Sequence, residues 1–573
     1  MSLSMESDAA VHQTGGATKT GKDDANISLR RSPSSPVGQS FTIPVSSQLQ
    51  RRLNNRQIQL FAIGGTIGQA VFVSLGTPLA QGGPGNLLLG YIIYSLIMGM
   101  VVNCSAEMVT FMPVPGALIQ HAGKWVDEAF GFMVGWNYFF WFALTLPFEL
   151  VGASLVMGFW RDDIPVAAVI CAMIVFYTIL NIVAVNWFGE VEFWMSLGKV
   201  LLLASVFFFT FVTMVGGNPR HDAYGFRYWN NPGSFLEYGD TGSVGRFRGF
   251  LACFYNAAFV VVGPESISAI AGEARNPRYT IKNAFKSMYL RFFLFFVGSA
   301  LCIGIVISAK DPKLVAIVEG TSDAGSSAAG SPYVIAASNL GISTFPSMIN
   351  ALLLTSIVSA GNNYVFAASR GLYAMAERGF APKFLLKVTK SGVPLYCLGF
   401  TIIFCAIAFL QLSSSTVEVY NWLISLTTAA GLVTFLTMTI TYIFFYRALK
   451  AQGIDRRTLP YCGWGQPYMA YAATALLTIV ILTFGYETFM PWSVSSFFIN
   501  YTFLLLAFLT FGFWKILKGT KFVKPHEADL VWERPEIDAH EASIMEPQIG
   551  FWREIGQLFC LGRKGKVMDH ASG

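Results

Sequence analysis

Two runs in this sequence combine residues that break a helix with a setting that forbids broken helices. They are Gly64-Gly65-Thr66-Ile67-Gly68 and Gly263-Pro264, each inside a long apolar stretch. Glycine weakens a helix interior and proline removes one of its hydrogen bonds. In an apolar medium an unpaired backbone group costs several kcal/mol, so irregular backbone persists only where it lines a cavity. Exposed N–H groups and the first turn of a half-helix suit a carboxylate, and exposed carbonyls suit an ammonium. Two such breaks would together make a site for a zwitterion. The competing reading is that these are packing glycines, which let helix backbones approach.

Ionisable side chains inside apolar runs form the second set. Lys199 either faces the bundle interior, where it could load and release a proton, or snorkels to the nearby membrane surface. Glu149, shortly after Pro147, suits a proton site or a tether between helices. Glu265 follows the second break and could receive a substrate ammonium or tie two half-helices together. Phe259, one turn before that break, could close over a ligand or belong to the core. Asn362 and Asn363 suit interhelical hydrogen bonds or a cavity wall. Glu107 reads as interfacial, and Glu273, Arg275 and Arg278 read as gate or loop contacts.

Other chemistries find little support. The six His all lie outside the apolar runs, and the eight Cys have neither zinc nor disulfide spacing. No H-E-x-x-H, P-loop or base-flipping signature occurs, so neither a metal nor a cofactor is expected, and an enzyme is disfavoured. No basic patch interleaved with aromatics points to nucleic acid.

The elements that must position these residues follow from composition. Apolar residues make up 54% of the 573 and charged residues 13%. A soluble domain carries about 25% charged residues, so this chain lacks the charge to coat several soluble domains. The pattern predicts an all-α integral membrane protein with twelve spans of about 20 residues, near 58–81, 86–112, 131–158, 165–185, 194–216, 248–272, 288–308, 346–375, 394–412, 419–446, 467–488 and 495–518. Spans 1 and 6 are the interrupted ones. Breaks five spans apart mark an inverted-repeat transporter. A polar, Ser/Thr-rich tail over 1–55 is expected to be disordered, followed by a transporter domain over 56–518 and a second tail over 519–573. Net charge is +6, and the loops after spans 6, 8 and 10 hold much of the Lys and Arg, for example Arg275, Arg278, Lys383, Lys387, Arg447 and Lys450. The positive-inside rule therefore puts both termini in the cytoplasm.

Several stretches resemble a known family. Gly64-Gly65-Thr66-Ile67-Gly68 resembles the first-helix motif of the amino acid–polyamine–organocation superfamily. Ala257-Ala258-Phe259, Gly263-x-Glu265 and Ala271-Gly272-Glu273-Ala274-x-Asn276-Pro277-Arg278 resemble its sixth-helix motif. Leu146-Pro147-Phe148-Glu149 and Glu192-Phe193-Trp194 resemble the fungal amino-acid permeases, the yeast amino acid transporter family. Arg161-Asp162-Asp163, Trp464-Gly465-Gln466-Pro467-Tyr468 and Pro525-His526-Glu527 are similar to its broad-range branch, which includes carnitine and polyamine permeases. The resemblance spans residues 55–530.

It implies a five-plus-five inverted repeat with two extra helices, a plasma-membrane location, and inward transport of an amino acid or related amine with a proton. The substrate-binding set it implies is Gly65, Thr66, Ile67, Gly68, Gln69 and Ala70 at the first break, with Phe259 as gate and Gly263 and Glu265 at the second. Lys199 matches a fifth-helix lysine that couples to protons in some relatives, and Glu149 is the second proton candidate. The chain departs from the usual pattern at Gln69-Ala70, where a small Thr-Gly pair is common, and at Val260-Val261. These departures suit a different substrate, such as carnitine or a polyamine, or a transporter-like sensor with little flux. Lys19 and Lys22 in the tail could receive ubiquitin from ligase and trafficking adaptors, as family tails often do.

Overall fold

The computed structural model describes residues 55–543, apart from 162, 184–187, 319–330, 390–391 and 414–415. Backbone polar groups in an apolar medium must be satisfied within the chain, and every long apolar run here does so as a helix. No strand forms among the described residues, and Phe489 and Trp492 pair as an isolated bridge. In chain order the helices are α1 (Asn55–Gly64), α2 (Ala70–Val73), α3 (Gly76–Phe111), α4 (Ala117–Trp125), α5 (Glu128–Met157), α6 (Val166–Val183), α7 (Phe188–Met214), α8 (Gly242–Val260), α9 (Pro264–Ile270), α10 (Pro277–Arg291), α11 (Gly298–Val306), α12 (Pro312–Val318), α13 (Pro332–Asn339), α14 (Thr344–Glu377), α15 (Leu395–Ile403), α16 (Thr416–Ala451), α17 (Tyr468–Thr483), α18 (Val494–Lys518) and α19 (Arg534–Ala542).

Ten segments among the described residues are long and apolar enough to cross a membrane. Two of the twelve expected spans fall outside that set. The apolar stretch of α6, Val166–Ile182, is slightly too short. The first expected span is divided: residues 65–69 separate α1 from α2, and the chain then runs on into α3. Within α3, Gly83 leaves helical geometry at φ 81° and ψ 170°, and Pro84 follows it. Only glycine adopts such a φ without strain, so the boundary between the first two expected spans lies there.

Large apolar side chains such as Phe208, Phe293, Phe508 and Leu509 face outward, each about two-thirds exposed. In water such surface would be a liability; in lipid it is the expected solvent-facing side. The protein is a multi-pass membrane protein. Inside, α3 packs along α8, α5 packs between α14 and α16, and α1 lies against α7. These helices carry both breaks and most of the buried polar side chains.

The expected tail over 1–55 lies outside the described residues except for Asn55, and Lys19 and Lys22 lie outside them as well. The segment beyond 518 is a different matter. Up to Ser543 it folds back on the bundle. Val523 N–H donates to Val126 O at 2.9 Å, and the Trp125 indole donates to Asp529 O at 3.0 Å. Arg278 donates to Asp538 at 2.6 Å and to Glu541 at 3.0 Å, while Leu530 and Ile537 are buried. Arg278, expected in a loop, stands in the first turn of α10 and ties that helix to α19.

Candidate functional site

The first break begins where α1 ends. Gly65 and Ile67 donate their N–H groups to Phe61 O (2.8 Å) and Ile63 O (2.9 Å), and Thr66 N–H donates to Ile63 O (3.1 Å). The Thr66 hydroxyl also bonds back, to Ala62 O at 3.0 Å. These bonds finish α1. No acceptor takes the N–H groups of Gly68, Gln69 and Ala70 among the described residues. Gly68 and Gln69 precede α2 and Ala70 opens it, and these three donors are the ones available to a carboxylate.

The second break spans residues 261–263, between α8 and α9. Gly263 has φ 149°, a conformation that side chains rarely allow. Pro264 then opens α9, where its missing N–H costs nothing. The Glu265 carboxylate folds back on its own half-helix. It accepts from Gly263 N–H at 2.9 Å and from the Ser266 hydroxyl at 3.1 Å. The two breaks lie against each other: a Cβ at Gly263 would fall 2.7 Å from Thr66 Cγ2, and one at Gly65 would fall 2.9 Å from Ser266 Oγ.

Between them is a cavity of ≈ 40 Å³. That is room for a few water molecules and not for an amino acid, so loading requires the walls to part. Gly65, Thr66, Gly68 and Ala70 line it from the first break, and Phe259 and Glu265 from the second. Helix α5 adds Trp141, Phe148 and Glu149, α14 adds Tyr364, and α16 adds Thr427 and Thr428. Phe259 is half-buried and meets Phe148 edge-on at 5.1 Å, so it is a cavity wall rather than sealed core. Glu149 is 1% exposed, and its Oε2 has no hydrogen-bond partner. Its Oε1 lies 2.9 Å from where a Cβ of Gly68 would stand. A buried carboxylate oxygen left unpaired is costly unless something else meets it.

Three of the expected substrate residues do not line this cavity with side chains. Ile67 is wholly buried in the core, and Gly263 shapes the break behind it. Gln69 turns away from the cavity, and its Nε2 donates to Phe148 O at 2.9 Å. The side chain fills the space beside Gly152, where a Cβ would come within 1.6 Å of its Oε1. Gln69 therefore reaches the site only by its backbone. Of the two departures at Gln69-Ala70, only Ala70 presents a side chain to the cavity.

Lys199 does not snorkel. It is fully buried, and its Nζ donates to Gly64 O, the last carbonyl of α1, at 2.5 Å. On the same helix, two turns earlier, stands a carboxylate that sequence reasoning noted only as part of a motif. Glu192 is 2% exposed. Its Oε1 accepts from Ser196 (2.9 Å), Ser359 (2.6 Å) and Asn363 (2.8 Å), while Oε2 has no partner. A Cβ at Gly64 would meet that Oε1 at 2.3 Å. Lys199 and Glu192 thus flank the end of α1 behind the cavity. The seven-residue spacing between them, which places both on one helix face, was the available signal. Asn363 makes the interhelical bond expected of it, and Asn362 accepts from Asn181 at 2.9 Å. Glu107 is not interfacial but fully buried: Arg456 donates to both its oxygens at 2.7 Å, and Tyr442 and Gly463 N–H complete the set. The loop after α16 covers it.

Comparison with known proteins agrees with this architecture. The family model described as amino acid permease matches residues 57–527. The chain belongs to the amino acid permease family. The General amino acid permease AGP2 of Saccharomyces cerevisiae is 40% identical over 510 residues, covering 86% of this chain and 84% of that protein. The Dicarboxylic amino acid permease of the same yeast is 33% identical, covering 91% and 87%. A Proline-specific permease of Emericella nidulans is 35% identical, covering 88% and 92%. This permease is therefore a membrane transporter rather than an enzyme.

Proposed function

We propose that this permease imports amino acids or related amines across the plasma membrane, coupled to protons, with twelve crossings and both termini in the cytoplasm. Substrate binds between the two breaks. Its carboxylate meets the N–H groups of Gly68, Gln69 and Ala70, and its amino group meets Glu149. Phe259 closes one side. Glu265 acts mainly through the backbone it caps. Lys199, bonded to the end of α1, carries the proton that couples substrate binding to movement of that half-helix. The observation that carries this reading is the unpaired Glu149 oxygen in a cavity walled by both breaks.

A second reading, carnitine or polyamine uptake, draws on the same wall. The cavity lining includes two carboxylates and several aromatic rings but no Lys, Arg or His side chain. Aromatic faces near carboxylates favour an extended or quaternary ammonium. The sensor reading rests on the departure at Gln69-Ala70, of which only Ala70 lines the cavity.

Uptake by permease-deficient cells expressing this chain tests all three. Labelled neutral, acidic and basic amino acids, carnitine and spermidine would each be offered with and without a protonophore. Protonophore-sensitive uptake of an amino acid is the expected result. Uptake restricted to carnitine or spermidine favours the second reading. No uptake by protein shown at the cell surface leaves the sensor.

A further inference from the structure

Below the transport cavity, toward the side where α19 packs, helices α5, α9 and α14 together with α4 enclose a second cavity of ≈ 20 Å³, room for about one water, so a substrate there too requires the walls to part. The two share three helices and are offset along them by one to two turns. On α9 and its continuation, Glu265 lines the first cavity, and Ala269 and Glu273 the second. On α5 the corresponding residues are Phe142 and Tyr138. On α14, Tyr364 lines the first, and Phe366 and Arg370 the second. At about 1.5 Å per residue the offset is about 6 Å at Tyr138 and Ala269 and about 9–12 Å at Arg370 and Glu273.

The chemistry of the second cavity is not that of packing alone. Glu273 and Arg370 both border it, yet they form no direct ion pair. Arg370 instead rests over the Phe366 ring at 5.1 Å and reaches Gly392 O only at 3.5 Å. It also borders a further small cavity with Ser369 and Val393. The third polar group is the Tyr138 hydroxyl, in a side chain 4% exposed, and it has no hydrogen-bond partner. A buried hydroxyl without a partner costs roughly 1–3 kcal/mol. An acid, a base and an orphan hydroxyl around one apolar-walled space complement a molecule carrying both charges.

We propose that this cavity is a second substrate site, where a zwitterionic amino acid pauses on its way to the cytoplasm. The substrate carboxylate pairs with Arg370, its amino group with Glu273, and the Tyr138 hydroxyl bonds to either. Guanidinium suits the carboxylate because it offers two parallel N–H donors. The site rests on the transport reading above and on the termini facing the cytoplasm. The alternative is a gate, in which Glu273 and Arg370 only close against each other.

Exchange measurements separate these outcomes. The full-length permease would be studied in plasma-membrane vesicles with whichever amino acid the uptake assay identifies. Lack of uptake by the wild-type chain would sink the transport reading before this site is tested. Given transport, Arg370→Gln and Glu273→Gln should raise the half-saturating internal concentration for exchange tenfold or more. The external KM should stay within twofold, and Arg370→Lys should recover part of the loss. Tyr138→Phe removes only an oxygen that has no partner in the protein. It should fold normally and raise the internal value several-fold, which keeps the test open if the charge variants fail to reach the membrane. Internal and external values moving by the same factor would mean a gate. An unchanged internal value in both Tyr138→Phe and Arg370→Lys would also overturn the second site.

Discussion

At the scale of single residues, the roles divide by where unsatisfied polar atoms lie. Glu192 gathers three donors on one oxygen, from its own helix and from α14. Truncation to alanine would strand Ser196, Ser359 and Asn363 in the interior, at about 1–3 kcal/mol for each donor left unpaired. Glu192→Ala should therefore lower the thermal midpoint of the detergent-solubilised protein by several degrees, and Glu192→Gln, which keeps an acceptor oxygen, by clearly less. Equal midpoints for the two would show that the donors find other partners. Gln69 has a related role. Gln69→Thr with Ala70→Gly restores the common pair, yet the Gln69 side chain braces α5 at Phe148 and does not face the cavity. The expected outcome is lost stability, with any change in substrate range coming from Ala70→Gly alone. A range shift in Gln69→Thr by itself would contradict that assignment. Thr66, Glu149, Glu265, Phe259 and Lys199 could be named from sequence because glycine, proline and charge stand out against an apolar background. For Glu192 the local signal was only its spacing from Lys199 and Ser196 on one helix face; the partners that single it out, Ser359 and Asn363, come from α14.

At the scale of elements, the breaks are held open by what surrounds them as much as by their glycines. Gly263 sits at φ 149°, and a Cβ there would meet Met288 Cε at 2.2 Å and Thr66 Cγ2 at 2.7 Å. Backbone strain of about 1–3 kcal/mol would add to overpacking of about the same size. Gly263→Ala should push the two half-helices apart and abolish uptake, even in the fraction of protein that reaches the surface. Uptake near the wild-type level would show that the break tolerates a side chain. The glycine-rich runs located both breaks correctly. Other element details were hidden. The first span is divided at Gly64, where α1 ends, and its second half joins α3 up to Gly83. Hydropathy averages over a window and does not register where helical geometry lapses.

At the scale of the whole molecule, the segment after α18 changes how the helices' ends are sealed. His121 lies beneath it, stacked on Trp125 at 4.2 Å and bonded to Met112 O at 3.0 Å. Burial, with a smaller effect from the Arg378 guanidinium, pushes its imidazole down to about 3 from the usual 6.5. The folded state therefore binds the proton less readily than the unfolded one. The stability contributed by the neutral ring is present above about 6.5 and is lost as pH falls toward about 3. Thermal midpoints should fall between pH 7 and pH 5, and His121→Phe, which keeps the stacking, should make that fall shallower. An equally steep fall would remove His121 from the account. By itself the sequence determined that this is an all-helical, multi-pass membrane protein, where its helices are interrupted, and which family it belongs to. Those properties depend on the transfer energy of contiguous residues and on short motifs, both of which are local. Only the tertiary structure decided which polar atoms meet: Lys199 with Gly64, Glu107 with Arg456, Gln69 with Phe148, and the C-terminal segment with the loops. These pairs join residues far apart in the chain, and the matching of buried donors to acceptors is settled by the packing of helices against one another.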